Sequence, residues 1–117
     1  MGKLTTHVLD TANGCPAAGM AVALYRLDTG VATLLETLVL NHDCRTDRPL
    51  LEGSAFVRGR YRLVFGVGAY FRARGTALDE PAFLDEVPLD FGLADLASHY
   101  HVPLLASPYA YSTYRGS

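Results

Sequence analysis

The sequence contains little cysteine and no excess of positive charge, and each absence excludes a class of protein. Two cysteines, Cys15 and Cys44, are too few for a disulfide scaffold and do not form a CxxC pair. We expect two reduced thiols, with a single bridge between them as the alternative. Ten basic residues against twelve acidic ones give a formal charge of −2, which argues against a nucleic-acid partner.

Long hydrophobic runs are also missing. No apolar run approaches the roughly 18 residues that cross a bilayer. The opening MGKLTTHVLD has one lysine but neither an apolar core nor a small-residue cleavage site. These observations predict a cytoplasmic protein with no membrane partner. A chain of 117 residues, half of them apolar and without repeats or linkers, is also expected to form one domain over residues 1–117.

Short strand signals occupy most of the chain. Segments rich in β-branched, aromatic or leucine residues lie between turn signals such as Asn13-Gly14 and Ser107-Pro108. Many short strands with turns at this spacing are typical of an all-β sandwich. A segment at 69–75 lacks alternation and ends in glycine, which predicts a short helix. The predicted strands are 5–9, 20–27, 33–41, 54–67, 87–94, 100–106 and 109–115.

Alternation along these strands separates an apolar face from a mixed one, because successive side chains point to opposite sides of a sheet. His7 lies on the face opposite Thr6 and Val8, and Ser112 shares a face with Tyr114. The even positions of 100–106 are apolar and are expected in the core. The odd positions around them share the other face: His99, His101, Pro103 and Leu105. Such a mixed face is expected to line a cleft or a subunit interface.

Three segments, in this order, carry a family resemblance: LTTHVLDTANGCPAAGM, NHDCRTDRPLL and YHVPLLASPYAYSTYRGS. Together they resemble the transthyretin-related proteins, in the 5-hydroxyisourate hydrolase branch, and the closing Tyr-Arg-Gly-Ser is the most specific part. The resemblance implies an all-β, transthyretin-like sandwich of eight strands with one short helix. It also implies a homotetramer, built as a dimer of dimers around a central channel.

The activity implied by the resemblance is hydrolysis of 5-hydroxyisourate, the product of urate oxidation, to 2-oxo-4-hydroxy-4-carboxy-5-ureidoimidazoline. Opening a cyclic ureide with water requires a base that ionises near neutral pH, a cation for the developing oxyanion and donors that orient the ligand. No cofactor is expected.

The resemblance also implies the residues that carry this reaction. His7 and His101 match the family's motif histidines and are the candidate base and proton shuttle, in either order. Arg45 matches the arginine of the RTD motif, and its planar guanidinium suits the oxo groups of the substrate. The implied substrate-binding set is His7, Arg45, Ser112, Tyr114 and Arg115, with Gly116 and Ser117 at the channel mouth.

Other interpretations remain open at this point. A transthyretin-like carrier would hold an aromatic ligand without turnover, although desolvating two histidines and an arginine for an apolar ligand is costly. A general interaction module is the second alternative, since a β-sandwich alone does not specify function. His99 and His101 with His7 would be a zinc site, but no carboxylate or cysteine accompanies them at ligand spacing, so we predict no metal. Cys44 beside Arg45 is the alternative nucleophile.

Overall fold

A computed structural model of the chain describes residues 2–43 and 46–116. Within these ranges the chain forms nine strands and one α-helix, with a 3₁₀ turn at Gly53–Ala55. The elements are β1 (Lys3–Asp10), β2 (Cys15–Pro16), β3 (Ala21–Asp28), β4 (Val31–Val39), β5 (Leu51–Glu52), β6 (Gly59–Phe65), α1 (Val67–Ala73), β7 (Val87–Leu93), β8 (Tyr100–Ala106) and β9 (Tyr111–Thr113).

The strands form two sheets. One has the order β2-β1-β8-β9, with β5 paired to the N-terminal end of β1. The other has the order β4-β3-β6-β7. All pairings are antiparallel except that between β1 and β8, which run parallel along their full lengths. The predicted all-β sandwich with one short helix is therefore confirmed. The described residues contain nine strands rather than eight, two of which, β2 and β5, are two-residue pairings with β1.

Most predicted strands differ from the observed ones by one or two residues at their ends, and the largest difference lies in the predicted strand 54–67. The first part of the predicted strand 54–67 is wrong, because Gly53 adopts a φ of 60° and starts a 3₁₀ turn, so that β6 begins only at Gly59. The helix begins two residues before the predicted start. Gly75 ends it at a φ of 88°, and the backbone N–H of Thr76 donates to the carbonyl of Phe71, as expected for a glycine-terminated helix.

The core lies between the sheets, and alternation decides which side chains enter it. In β1 the even positions from Leu4 to Asp10 are buried, whereas Thr5 and His7 are half-buried on the outer face of the sheet. In β8 the even positions are likewise buried, and His101 is half-buried on the outer face. The sequence-based assignment of faces is confirmed for both strands. No helix in the described part of the chain is long and apolar enough to span a bilayer.

Candidate functional site

The structure brings His7 and His101 together on the outer face of the first sheet. The two strands that carry them are parallel neighbours, with His7 beside Pro103 and Thr5 beside His101. The Nδ1 atom of His7 lies 2.6 Å from the Nε2 atom of His101, which is a short hydrogen bond. The rings are 4.7 Å apart between centroids and inclined by 25°. These residues, 94 positions apart in the chain, therefore form one hydrogen-bonded pair.

Thr5 extends this pair into a chain of three groups. Its hydroxyl Oγ1 lies 2.8 Å from Nδ1 of His101, so both ring nitrogens of His101 are hydrogen-bonded to neighbouring side chains. Thr5 was not predicted from the sequence to belong to the site. The available signal was its position two residues before His7, which places both side chains on one face of β1.

Gly116 packs directly against His101. Its backbone N–H donates to the carbonyl oxygen of His101 over 2.7 Å. A Cβ atom at position 116 would lie 3.0 Å from Cδ2 of the His101 ring, closer than side chains normally approach. The glycine therefore allows the C-terminal segment to lie against the ring. The resemblance had placed Gly116 only at the channel mouth.

The histidine pair has the properties of a proton-transfer site. One hydrogen lies between its two facing nitrogens, so the pair holds at least one proton and at least one lone pair. Both rings are half-buried, which leaves them accessible to a small polar ligand. Such an arrangement can accept a proton from water on one ring and share the resulting charge with the other.

Ser112 lies on the same outer face but farther along the sheet. It pairs with Leu105, which in turn pairs with Leu9 of β1. This row is two residues along β1 from His7, which corresponds to roughly 7 Å. Ser112 therefore shares the outer face with the histidine pair, but it lies on the second strand across the sheet from β1.

Tyr114 and Arg115 follow directly after the last strand. The final strand ends at Thr113, so alternation no longer sets the direction of Tyr114. Tyr114 and Arg115 line a cavity of about 330 Å³ together with Tyr100, whose side chain belongs to the core face. The guanidinium of Arg115 lies 4.1 Å from the Tyr100 ring centroid and donates to the carbonyl of His99. Because β9 ends at Thr113, the predicted shared face of Ser112 and Tyr114 stays a prediction.

Three residues singled out from the sequence lie outside the described residues. They are Arg45, the candidate oxyanion partner, Cys44 beside it, and the terminal Ser117. The predictions made for them stay predictions. Cys15, which is described, has a free thiol 3.9 Å from a carboxylate oxygen of Asp10.

The zinc alternative finds no set of ligands in residues 2–43 and 46–116. No three His, Cys, Asp or Glu side chains within these ranges are placed to hold a metal ion. His99 is exposed beside Arg115 and Gly116, and the ring nitrogens of His101 face Thr5 and His7.

A buried carboxylate holds the end of β1 next to this site. Asp10 is 1% exposed and accepts hydrogen bonds from the backbone N–H groups of Ala12 and Asn13, the Asn13 amide and the Tyr70 hydroxyl. Burial alone raises the pKa of Asp10, but these hydrogen bonds outweigh it and hold the pKa below its usual value. Burial and the Asp10 hydrogen bond raise the pKa of Tyr70. The Nε atom of Arg74 also forms an ion pair with Oδ2 of Asp10, at 3.7 Å.

Comparison with known proteins places this arrangement in context. The model of the HIUase/Transthyretin family matches residues 4–116. A 5-hydroxyisourate hydrolase of Mesorhizobium japonicum is 62% identical over 116 residues, which cover 99% of this chain and 93% of that protein.

Solved structures show the same fold in proteins with different names. The crystal structure of an (S)-allantoin synthase matches with a TM-score of 0.93 and 48% identity; the match covers 99% of this chain but only 44% of that longer protein. Sea bream transthyretin, solved in complex with thyroxine, matches with a TM-score of 0.86 and 26% identity over 97% of this chain and 94% of its own. The fold alone therefore does not distinguish a hydrolase from a protein that binds thyroxine.

Proposed function

Because this chain belongs to the HIUase/Transthyretin family, we propose that it hydrolyses 5-hydroxyisourate to 2-oxo-4-hydroxy-4-carboxy-5-ureidoimidazoline, a step of urate degradation. The observation that carries the proposal is the 2.6 Å hydrogen bond between His7 and His101 on a half-buried face. A carrier of an apolar ligand gains nothing from such a pair, because desolvating two imidazoles opposes binding. The high identity to a hydrolase supports the same choice.

In the proposed mechanism a water molecule attacks a ring amide carbonyl of the substrate. The histidine pair takes one proton from the water as the C–O bond forms, and the charge is shared across the hydrogen bond that joins the rings. The ring C–N bond then breaks, and the pair returns the proton to the leaving nitrogen. Water is the only co-reactant, so the reaction leaves the pair in its starting state.

Arg45 is proposed to stabilise the oxyanion and to bind the oxo groups of the substrate. Ser112, Tyr114 and Arg115 are proposed to orient the substrate. Ser112 is supported by its place on the face of the histidine pair. For Tyr114 and Arg115 the role would require a channel completed by neighbouring subunits, since in one chain they line the cavity beside Tyr100.

The test of this proposal compares turnover with binding. Freshly generated 5-hydroxyisourate is added in large molar excess over the protein, and its ultraviolet absorbance is followed with and without protein. A hydrolase consumes the whole excess faster than the spontaneous reaction does. A carrier removes no more substrate than it has sites, and that result would overturn the proposal.

Activity is predicted to fall as the pH drops below roughly 6, because an imidazole in water ionises near pH 6.5. Once the pair has taken up one proton, both outer ring nitrogens carry a hydrogen, and none is left to accept the proton of water. The measurement is kcat against pH, with circular dichroism at each pH to show that the fold persists. A kcat that stays flat between about pH 5 and 8, with chemistry rate-limiting, would count against a histidine base.

We propose that the protein is a homotetramer, a dimer of dimers. Support comes from apolar side chains left exposed in the single chain: Phe83 is 72% exposed, Tyr109 is 61% exposed, and their rings lie 6.0 Å apart. Leu9, on the outer face beside Leu105, is also partly exposed. Light scattering is expected to give four times the 12.7 kDa of one chain. A monomeric mass at micromolar concentration would contradict the tetramer.

We also propose a cytoplasmic location and a single domain over residues 1–117. Limited proteolysis tests the domain, since one domain is expected to yield no stable internal fragment. Cell fractionation tests the location, with the protein expected in the cytoplasmic fraction.

A further inference from the structure

The Thr5 hydroxyl has no role in the proton transfer proposed above, but it contacts His101, one of the two histidines of the pair. Thr5 and His101 are direct neighbours across β1 and β8, and Oγ1 lies 2.8 Å from Nδ1. The opposite nitrogen of the same ring, Nε2, lies 2.6 Å from His7. In a neutral His101 ring, the presence or absence of a hydrogen on Nδ1 therefore decides whether Nε2 accepts a hydrogen bond from His7 or donates one to it.

Two proton arrangements satisfy this geometry. In the first, the Thr5 hydroxyl donates to Nδ1 of His101, so Nε2 carries a hydrogen and donates to His7. In the second, Nδ1 of His101 carries the hydrogen and donates to Thr5, so Nε2 accepts a hydrogen from Nδ1 of His7. Only the second arrangement leaves a lone pair on Nε2 of His7, the nitrogen that the contact between the rings does not use.

We propose that Thr5 is a positioning residue, which accepts the Nδ1 hydrogen of His101 and thereby sets Nε2 of His7 as the proton acceptor. This inference rests on the proposed hydrolysis and deepens it, because it assigns the base that the sequence left open. When His7 takes the proton of water, the positive charge is shared with His101, whose Nδ1 hydrogen remains bonded to Thr5. The hydroxyl oxygen thus stabilises the charged pair more than the neutral one.

The chain offers a matched control in the adjacent residue. Thr6 is 1% exposed on the opposite face of β1, and its hydroxyl donates to the carbonyl of Val102 over 2.6 Å. Valine has nearly the shape of threonine and suits a strand, so Thr5→Val and Thr6→Val each remove one hydroxyl with little change in shape. Only the first substitution removes a contact with His101.

The experiment measures kcat and KM for both variants and for Thr5→Ser. Thr5→Val is expected to lower kcat about 10- to 100-fold, the range for losing a hydrogen bond to a charged group, with KM within about 2-fold. Thr5→Ser, which restores a hydroxyl, is expected to recover most of kcat. Thr6→Val is expected to lower the thermal midpoint while keeping kcat near that of the parent.

A second readout does not depend on activity. The ¹⁵N chemical shifts of the His101 side chain distinguish a protonated from an unprotonated Nδ1, and Thr5→Val is expected to move them toward the other tautomer. Thr6→Val is expected to leave them unchanged. An unshifted ¹⁵N signature, a parent-like kcat in Thr5→Val, or a loss that serine does not restore would each overturn the role of Thr5. A parent protein without hydrolysis but with the expected ¹⁵N shift would overturn the proposed function and leave the tautomer assignment standing.

Discussion

Replacing His101 with alanine is expected to lower the turnover of 5-hydroxyisourate about 100-fold or more, the usual scale for removing a general base. His7→Ala is expected to have an effect of the same size. In either variant the remaining ring loses its 2.6 Å partner and can no longer share the charge taken from water. The measurement is kcat from the ultraviolet decay of the substrate, with the fold checked by circular dichroism.

The two substitutions are expected to be strongly non-additive. If the rings act as one unit, the double variant His7→Ala/His101→Ala loses little more than either single variant, as for other coupled catalytic groups. His42→Ala is the matched control, because the His42 side chain is 90% exposed in a loop. It is expected to keep the parent kcat. Single-variant losses that multiply in the double variant would show that the two histidines act independently.

Asp10→Asn is expected to destabilise the fold by about 3 kcal/mol, because a buried carboxylate is replaced by an amide among four hydrogen-bond donors. The amide has one acceptor oxygen, and its NH₂ group faces donors that no longer find a partner. For a chain of this size the thermal midpoint is expected to fall by roughly 10 °C. At temperatures where the variant is folded, kcat is expected to stay close to that of the parent, since Asp10 faces away from His7.

The same substitution is expected to change how stability depends on pH. The pKa of Asp10 is below its usual value in the folded protein, so the unfolded chain binds the proton more readily. The stabilising contribution is therefore complete above about pH 4 and is lost as the pH falls through the folded pKa. Asp10→Asn removes this pH-dependent contribution, so the stability of the variant declines less steeply on acidification than that of the parent. Chemical denaturation at several pH values between about 2 and 6 measures the slope.

Asp90→Asn provides the control for both effects. Asp90 also has a lowered pKa, caused first by its hydrogen bond from Arg62, but its side chain is 54% exposed. Solvent screens such pairs, so the thermal midpoint is expected to change little. If Asp10→Asn were no more destabilising than Asp90→Asn, the buried network around Asp10 would not hold the end of β1 as described.

Much of the site geometry could be anticipated from alternation. The positions of His7 and His101 on outer faces followed from the period of two residues in each strand, and both are confirmed. The sequence pattern within each strand does not show that β1 and β8 are parallel neighbours, because this pairing depends on the arrangement of the whole sheet. The role of Thr5 was missed for this reason: a threonine in a strand is common, and its partner lies 96 positions away.

Other predictions relied on local sequence rules beyond the point where those rules apply. Alternation predicts one face for Ser112 and Tyr114 only if the strand continues, and it ends at Thr113. The first residues of the predicted strand 54–67 looked compatible with a strand, but the positive φ of Gly53 starts a turn there instead. The Asp10 network depends on Tyr70 in α1, a contact between elements 60 residues apart that composition does not reveal.

We propose that His7 and His101 together carry out the hydrolysis of 5-hydroxyisourate. The initial rate of substrate decay in the ultraviolet tests this, measured for the parent protein and the His7→Ala/His101→Ala double variant at equal concentrations. The parent is expected to consume a large excess of substrate, and the folded double variant is expected to be slower by about 100-fold or more. Equal rates for the two proteins, or a parent rate no faster than the spontaneous decay, would contradict it.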